Sequence, residues 1–171
     1  MSVLPKEGDK RWIPPCRGIF RLDVDVSIHA NGNLVGAGFL VRDHERTVLA
    51  AAARRIGRTE TTLMGELHSI LLGVGFCMEQ DFCPLEVFTD SLLAVHVLSE
   101  KTRGIDSLCD DLYDAFISAK EKIVLDFKHV RREANRAAHF LANLAVCVPD
   151  AMIWRSDFPS SLLDIVHRDL N

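Results

Sequence analysis

The chain has 171 residues, 48% hydrophobic and 26% charged, an ordinary globular balance that excludes a disordered, collagen-like or low-complexity chain. That length suits one compact domain around a single core. With 20 Lys and Arg against 24 Asp and Glu the formal charge is −4, so no global positive field draws nucleic acid or a membrane surface, and any polyanion site must be local.

Residues 1–18 are polar and broken by Pro5, Pro14 and Pro15, which predicts a leader rather than a helix. From Phe20 to Ile28 apolar residues alternate with Arg21, Asp23, Asp25 and Ser27, the period of two of a strand. Asn31-Gly32 supplies positive φ angles for a tight hairpin. Second and third strands are predicted around Leu34 to Arg42 and Thr47 to Arg54. The spacing then changes: Leu63, Leu67, Ile70, Leu71, Val74 and Cys77 recur every three or four residues, the stripe of an amphipathic helix. Leu85 to Thr89 reads as a strand, Asp90-Ser91 as a cap, and Leu92 to Leu98 as a helix. Further helices are expected over about Ser107 to Lys120 and Glu133 to Val146, on either side of a last strand from Ile123 to Val130.

This order predicts an α/β fold with a five-stranded mixed sheet, strand order 3-2-1-4-5, its first three strands antiparallel, flanked by helices. The domain is expected over 19–147, with a C-terminal tail over 148–171 anchored by Trp154, Phe158 and Leu162. Five cysteines, Cys16, Cys77, Cys83, Cys109 and Cys147, contain no C-x-x-C pair, which points to reduced thiols rather than disulfides or structural zinc. No apolar run approaches the roughly 20 residues of a membrane helix, and Met1 to Lys10 lacks the apolar stretch of a secretory signal. An intracellular protein of nucleus or cytoplasm, with no membrane partner and a monomeric state, is expected.

Three acids stand out. Asp25 lies late in the first strand, and its parity allows an outward-facing polar residue as well as a functional one. Glu66 sits on or beside the apolar stripe, where a carboxylate facing the sheet needs a partner because an unpaired buried charge is costly. Asp90 can serve as a helix cap, as can Ser91. A strand end, an inward helical position and a neighbouring strand end could bring the three together, and such a cluster repels itself unless cations fill it. Hard divalent cations prefer oxygen ligands, and two of them roughly 4 Å apart assist phosphodiester hydrolysis. The segment from Lys128 to Arg136 holds a local excess of positive charge suited to phosphate contacts, with Arg54, Arg55 and Arg58 a weaker cluster of the same kind. On the last helix Asn135, His139 and Asn143 share one polar face.

These motifs resemble the type 1 ribonuclease H family, in particular the ribonuclease H-like domain associated with plant non-LTR reverse transcriptases. The resemblance runs through Pro14-Pro15-Cys16-Arg17-Gly18, Val24-Asp25-Val26-Ser27 and Gly36-Ala37-Gly38-Phe39-Leu40-Val41-Arg42-Asp43. It continues through Gly65-Glu66-Leu67, Thr89-Asp90-Ser91 and the closing stretch from His129 to His139. Five motifs in order, with matching spacing, cover most of the chain. The resemblance implies a ribonuclease H-like fold and hydrolysis of the RNA strand of an RNA/DNA hybrid by two-metal-ion catalysis. Asp25, Glu66 and Asp90 then bind Mg²⁺, with Mn²⁺ as an alternative, and His139 occupies the place of the family's fourth acid as a further catalytic residue. Ser27, Gly38, Ser91, Arg132 and Asn135 are the implied nucleic-acid contacts. Val26 stands where the family carries glycine. The alternative reading is a ribonuclease H-like module that binds nucleic acid with weakened or no catalysis.

Overall fold

A computed structural model describes residues 10–100, 114 and 123–171 of the chain. The helix expected over about 107 to 120 falls, apart from Asp114, outside them. In chain order the elements are β1 (Phe20–His29), β2 (Leu34–Arg42), β3 (Val48–Ile56), α1 (Thr62–Glu79), β4 (Leu85–Thr89), α2 (Leu92–Glu100), β5 (Val124–His129), α3 (Arg136–Ala145), β6 (Ala151–Trp154) and α4 (Ser160–Arg168).

The sheet runs β5-β4-β1-β2-β3-β6, with β4 and β5 parallel to their neighbours and the other pairs antiparallel. Its first five strands keep the expected neighbours, but the sheet has six strands rather than five. The added one comes from the segment read as a tail: β6 pairs with the outer edge of β3, from Ala51↔Trp154 to Arg54↔Ala151. Four residues without polar alternation carry too little periodicity to announce a strand. The Asn31-Gly32 turn is also wider than expected. Ala30, Asn31 and Gly32 all adopt positive φ, in a loop between the His29↔Leu34 pair. A Cβ on Gly32 would lie 2.2 Å from the Thr59 carbonyl oxygen, so glycine is required there for space as well as for φ.

One face of the sheet follows the alternation of β1 directly. Leu22 and Val24, with Phe39, Val41, Ala50 and Ala52, meet Leu67, Ile70, Val74 and Cys77 of α1 and Ala94, Val97 and Leu98 of α2. The other face departs from expectation. Arg21, Asp23, Asp25 and Ser27 have the opposite strand parity to Leu22 and Val24, yet none exceeds 7% exposure. Helix α3 lies across this face, where Leu40, Ala51 and Ala53 pack with Ala137, Leu141 and Ala145 and with Leu162 and Val166 of α4. Trp154 and Phe158 are partly buried against the same cluster.

At its start this polar strand face is buried because Asp23 is paired with the surrounding donors. Asp23 accepts hydrogen bonds from Trp12 Nε1 at 2.9 Å, Arg21 Nε at 2.8 Å and Arg42 Nη2 at 3.3 Å. Arg42 Nη1 reaches Asp169 near the end of the chain at 2.8 Å. The Arg21 guanidinium stacks over Phe88 at 3.7 Å, and that of Arg42 over Trp12 at 4.1 Å. Among the described residues Cys16, Cys77, Cys83 and Cys147 are free thiols, and no helix is long and apolar enough to cross a membrane.

Candidate functional site

The parallel pairing of β1 with β4 ends at Val24↔Thr89, one residue before Asp25 and one before Asp90. Both acids therefore lie side by side just past the point where β1 and β4 part, Asp25 still within β1 and Asp90 just beyond β4. Glu66 enters from α1, in the turn after Thr61, whose hydroxyl accepts the Met64 N–H and caps the helix. One carboxylate oxygen from each of Asp25, Glu66 and Asp90 lies within 4.8 Å of the others. The convergence expected of the three acids is present.

Their environment is hostile to three negative charges. Burial, then the charges of Asp25 and Asp90, push Glu66 up to about 8. Burial and Asp90 push Asp25 up to about 6, against a downward pull from the His139 hydrogen bond and the Val26 N–H. Glu66 is 7% exposed, and its Oε2 is buried without a hydrogen-bond partner. An orphaned, buried carboxylate oxygen facing two further carboxylates suits a hard divalent cation, which takes oxygen donors and cancels the repulsion. The donor set fits such an ion.

The helix-cap role falls to Ser91 rather than Asp90. Ser91 Oγ accepts the Ala94 N–H at 3.2 Å, and the Ser91 N–H is taken by Thr89 Oγ1 at 3.1 Å, so the Asp90 carboxylate is left to the cluster. Arg132, its side chain 74% exposed, approaches Asp90 Oδ2 at 3.5 Å. It extends from a short 3-10 turn, Arg132–Ala134, which replaces the expected first turn of the last helix.

His139 is brought to the acids: its Nδ1 lies 2.7 Å from Asp25 Oδ2. Val26 is not strained, since it pairs with Ala37 in regular β1–β2 register and packs with Val35, Ala37 and Ile56. Three of the implied nucleic-acid contacts prove to be internal. Gly38 is buried under α3, where a Cβ would lie 2.2 Å from the Ala142 nitrogen and 2.4 Å from the Ala138 carbonyl oxygen, so glycine serves close helix packing there. Asn135 is 1% exposed and donates from Nδ2 to the Val24 carbonyl at 3.0 Å, fixing the loop before α3 to β1. Ser27 is 7% exposed and donates to Asn143 Oδ1 at 2.7 Å. Sequence reasoning missed His29, whose Nε2 lies 2.8 Å from Ser27 Oγ; its only signal was its place two residues beyond Ser27 on the same strand face.

A mixed sheet with three acids gathered at its open end, between helices on both faces, defines a ribonuclease H-like domain. Residues 23–145 match the model described as reverse transcriptase-like, and the chain belongs to that family. A protein of Arabidopsis thaliana, provisionally named a ribonuclease H protein, is 30% identical over 155 residues. That match takes in 82% of this chain and 24% of the relative, so the chain spans about a quarter of that protein's length. Among solved structures, the N-terminal ribonuclease H domain of a Mycobacterium tuberculosis protein superposes with a TM-score of 0.68 at 23% identity, covering 75% of this chain and 94% of that one. A ribonuclease H1 solved in complex with an RNA/DNA hybrid gives a TM-score of 0.66 at 21% identity, covering 75% and 96%. These likenesses establish the fold.

Proposed function

We propose that this domain hydrolyses the RNA strand of RNA/DNA hybrids in a divalent-cation-dependent, two-metal-ion reaction. The observation that carries the reading is the meeting of Asp25, Glu66 and Asp90 within 4.8 Å, with one Glu66 oxygen buried and without a hydrogen-bond partner. Those three residues would hold Mg²⁺, with Mn²⁺ as an alternative. Divalent cations bound there make water a stronger nucleophile and stabilise charge on the leaving oxygen.

The chain's own residues supply the rest. The Val26 N–H, 2.9 Å from Asp25 Oδ1, and His139 at Oδ2 fix the Asp25 carboxylate in one orientation. Ser91 holds the start of α2, and with it the backbone that presents Asp90. The exposed Arg132 guanidinium is placed to meet a phosphate beside Asp90. Recognition of a hybrid would rest on its shape and 2′-hydroxyls, because nothing in this reaction requires reading of base sequence. Kinship with the reverse transcriptase-like family and with an Arabidopsis protein supports a plant retroelement origin, and we place the protein in the nucleus or cytoplasm as a monomer.

The test is cleavage of a labelled RNA/DNA hybrid with Mg²⁺ or Mn²⁺. The RNA strand is expected to be cut, and Asp90→Asn is expected to lower the rate by about a hundredfold or more through loss of a cation ligand. Hybrid retention without cleavage under either cation would replace this reading with that of a binding module.

A further inference from the structure

A line of hydrogen bonds runs back from Asp25 through His139 to groups that the proposed reaction does not use. His139 Nδ1 meets Asp25 Oδ2 at 2.7 Å, and His139 Nε2 lies 3.1 Å from Asn143 Nδ2. Asn143 Oδ1 accepts from Ser27 Oγ at 2.7 Å, and Ser27 Oγ lies 2.8 Å from His29 Nε2. Only two elements build it. β1 supplies Asp25, Ser27 and His29, alternate residues of one strand face, and α3 supplies His139 and Asn143, one helical turn apart.

The chemistry of each group sets the direction of the line. An amide nitrogen donates only, so His139 Nε2 is the acceptor and carries no hydrogen. The ring's hydrogen then sits on Nδ1, where the Asp25 carboxylate accepts it. The Asn143 carbonyl oxygen takes the Ser27 hydroxyl hydrogen, which leaves that hydroxyl oxygen free to accept from His29 Nε2. Every link donates toward Asp25. A histidine is thereby presented to the cluster with one defined nitrogen forward, as outer-shell partners do for residues that hold metals.

We propose that Asn143, backed by Ser27 and His29, is a positioning residue that holds the His139 ring with its hydrogen on Nδ1, and through that ring orients Asp25 for the carboxylate cluster. The inference rests on the cation-binding reading of the cluster and adds to it the residues that aim its central ligand.

The test uses the full chain, with nitrogen NMR of the His139 ring in the absence of metal and calorimetric titration with Mn²⁺ alone. The parent protein is expected to show hydrogen on Nδ1 and a bare, hydrogen-bonded Nε2. Asn143→Asp keeps the shape but exchanges the donor for an acceptor, and is expected to place hydrogen on Nε2, a change that a merely structural role would not produce. Asn143→Ala is expected to weaken Mn²⁺ binding by about tenfold, in line with outer-shell substitutions. Asn143 is exposed, so both variants should fold, and circular dichroism checks that they do. Hydrogen on Nε2 in the parent, unchanged ring nitrogens in Asn143→Asp, or unchanged Mn²⁺ affinity in Asn143→Ala would each overturn the proposal. A parent that binds no Mn²⁺ overturns it together with the cation reading. A parent that binds Mn²⁺, responds to the Asn143 variants as described and leaves hybrids uncut supports the positioning role while the nuclease reading falls.

Discussion

Nδ1 of His139 stands 2.7 Å from Oδ2 of Asp25, a contact across 114 positions of sequence that ties α3 to β1 where the carboxylates meet. The hydrogen bond from this histidine acts on Asp25 in the opposite direction to burial and to Asp90. An acid at the same place would add a fourth repelling charge. Histidine instead helps Asp25 stay ionised, at the cost of one negative group for a cation to neutralise.

Glu66 carries a pH signature. Its folded value of about 8 lies above the ordinary 4.5, so between those limits the folded state binds a proton that the unfolded chain has released. Stability from this group is fully present below the unfolded value and is lost as pH rises through the folded one, at about 1.4 kcal/mol per pH unit between them. Glu66→Gln is expected to raise the melting temperature of the cation-free protein near pH 8 and to remove most of the stabilisation that Mg²⁺ confers on the parent. Thermal melts across neutral to alkaline pH, with and without Mg²⁺, read both effects.

Gly38→Ala should destabilise the protein and disturb the site together. The new Cβ would press on the backbone of α3 at Ala138 and Ala142, and an overpacked helix contact costs about 1–3 kcal/mol. Because α3 also carries His139, the displaced helix is expected to weaken cation binding. Urea unfolding and Mn²⁺ titration of the same variant measure the two losses.

Asp23→Asn should cost more than any one of its three hydrogen bonds would suggest. Arg21 and Arg42 are each 1% exposed and both pair with Asp23, so the substitution weakens both contacts and leaves Asp169 to Arg42. Removing one member of a buried ion network costs about 3–5 kcal/mol. Chemical denaturation gives the total, and fluorescence of Trp12, which donates to Asp23, reports the local change.

Arg132→Ala tests the opposite case. Its side chain is 74% exposed and its approach to Asp90 is long, so stability should change by no more than about 0.5 kcal/mol. If the guanidinium meets a phosphate, hybrid binding should weaken similarly for different sequences, and the slope of log affinity against log salt should fall by about 1. Binding isotherms at several salt concentrations check this.

Much of this molecule is legible without coordinates, for a physical reason. The period of two in β1, the helical stripe of α1 and the order of strands and helices are local properties of the chain, and together they bring Asp25 and Asp90 beside each other where two parallel strands part. The nature of the α3-facing side of β1 was not legible in the same way. Alternation states which residues share a face but not what covers that face, and Arg21, Asp23, Asp25 and Ser27 look solvated until α3 and Trp12 are laid over them. Their burial depends on distant partners, such as Arg42, 19 positions from Asp23, and His139 and Asn143, 114 and 116 positions from Asp25 and Ser27. The same limit hid the packing of Gly38 and the internal hydrogen bonds of Asn135 and Ser27, and hid β6 inside an expected tail. Local periodicity makes elements and their order readable, whereas the burial of a charge, the space at a glycine and the partner of an edge strand exist only once distant segments meet.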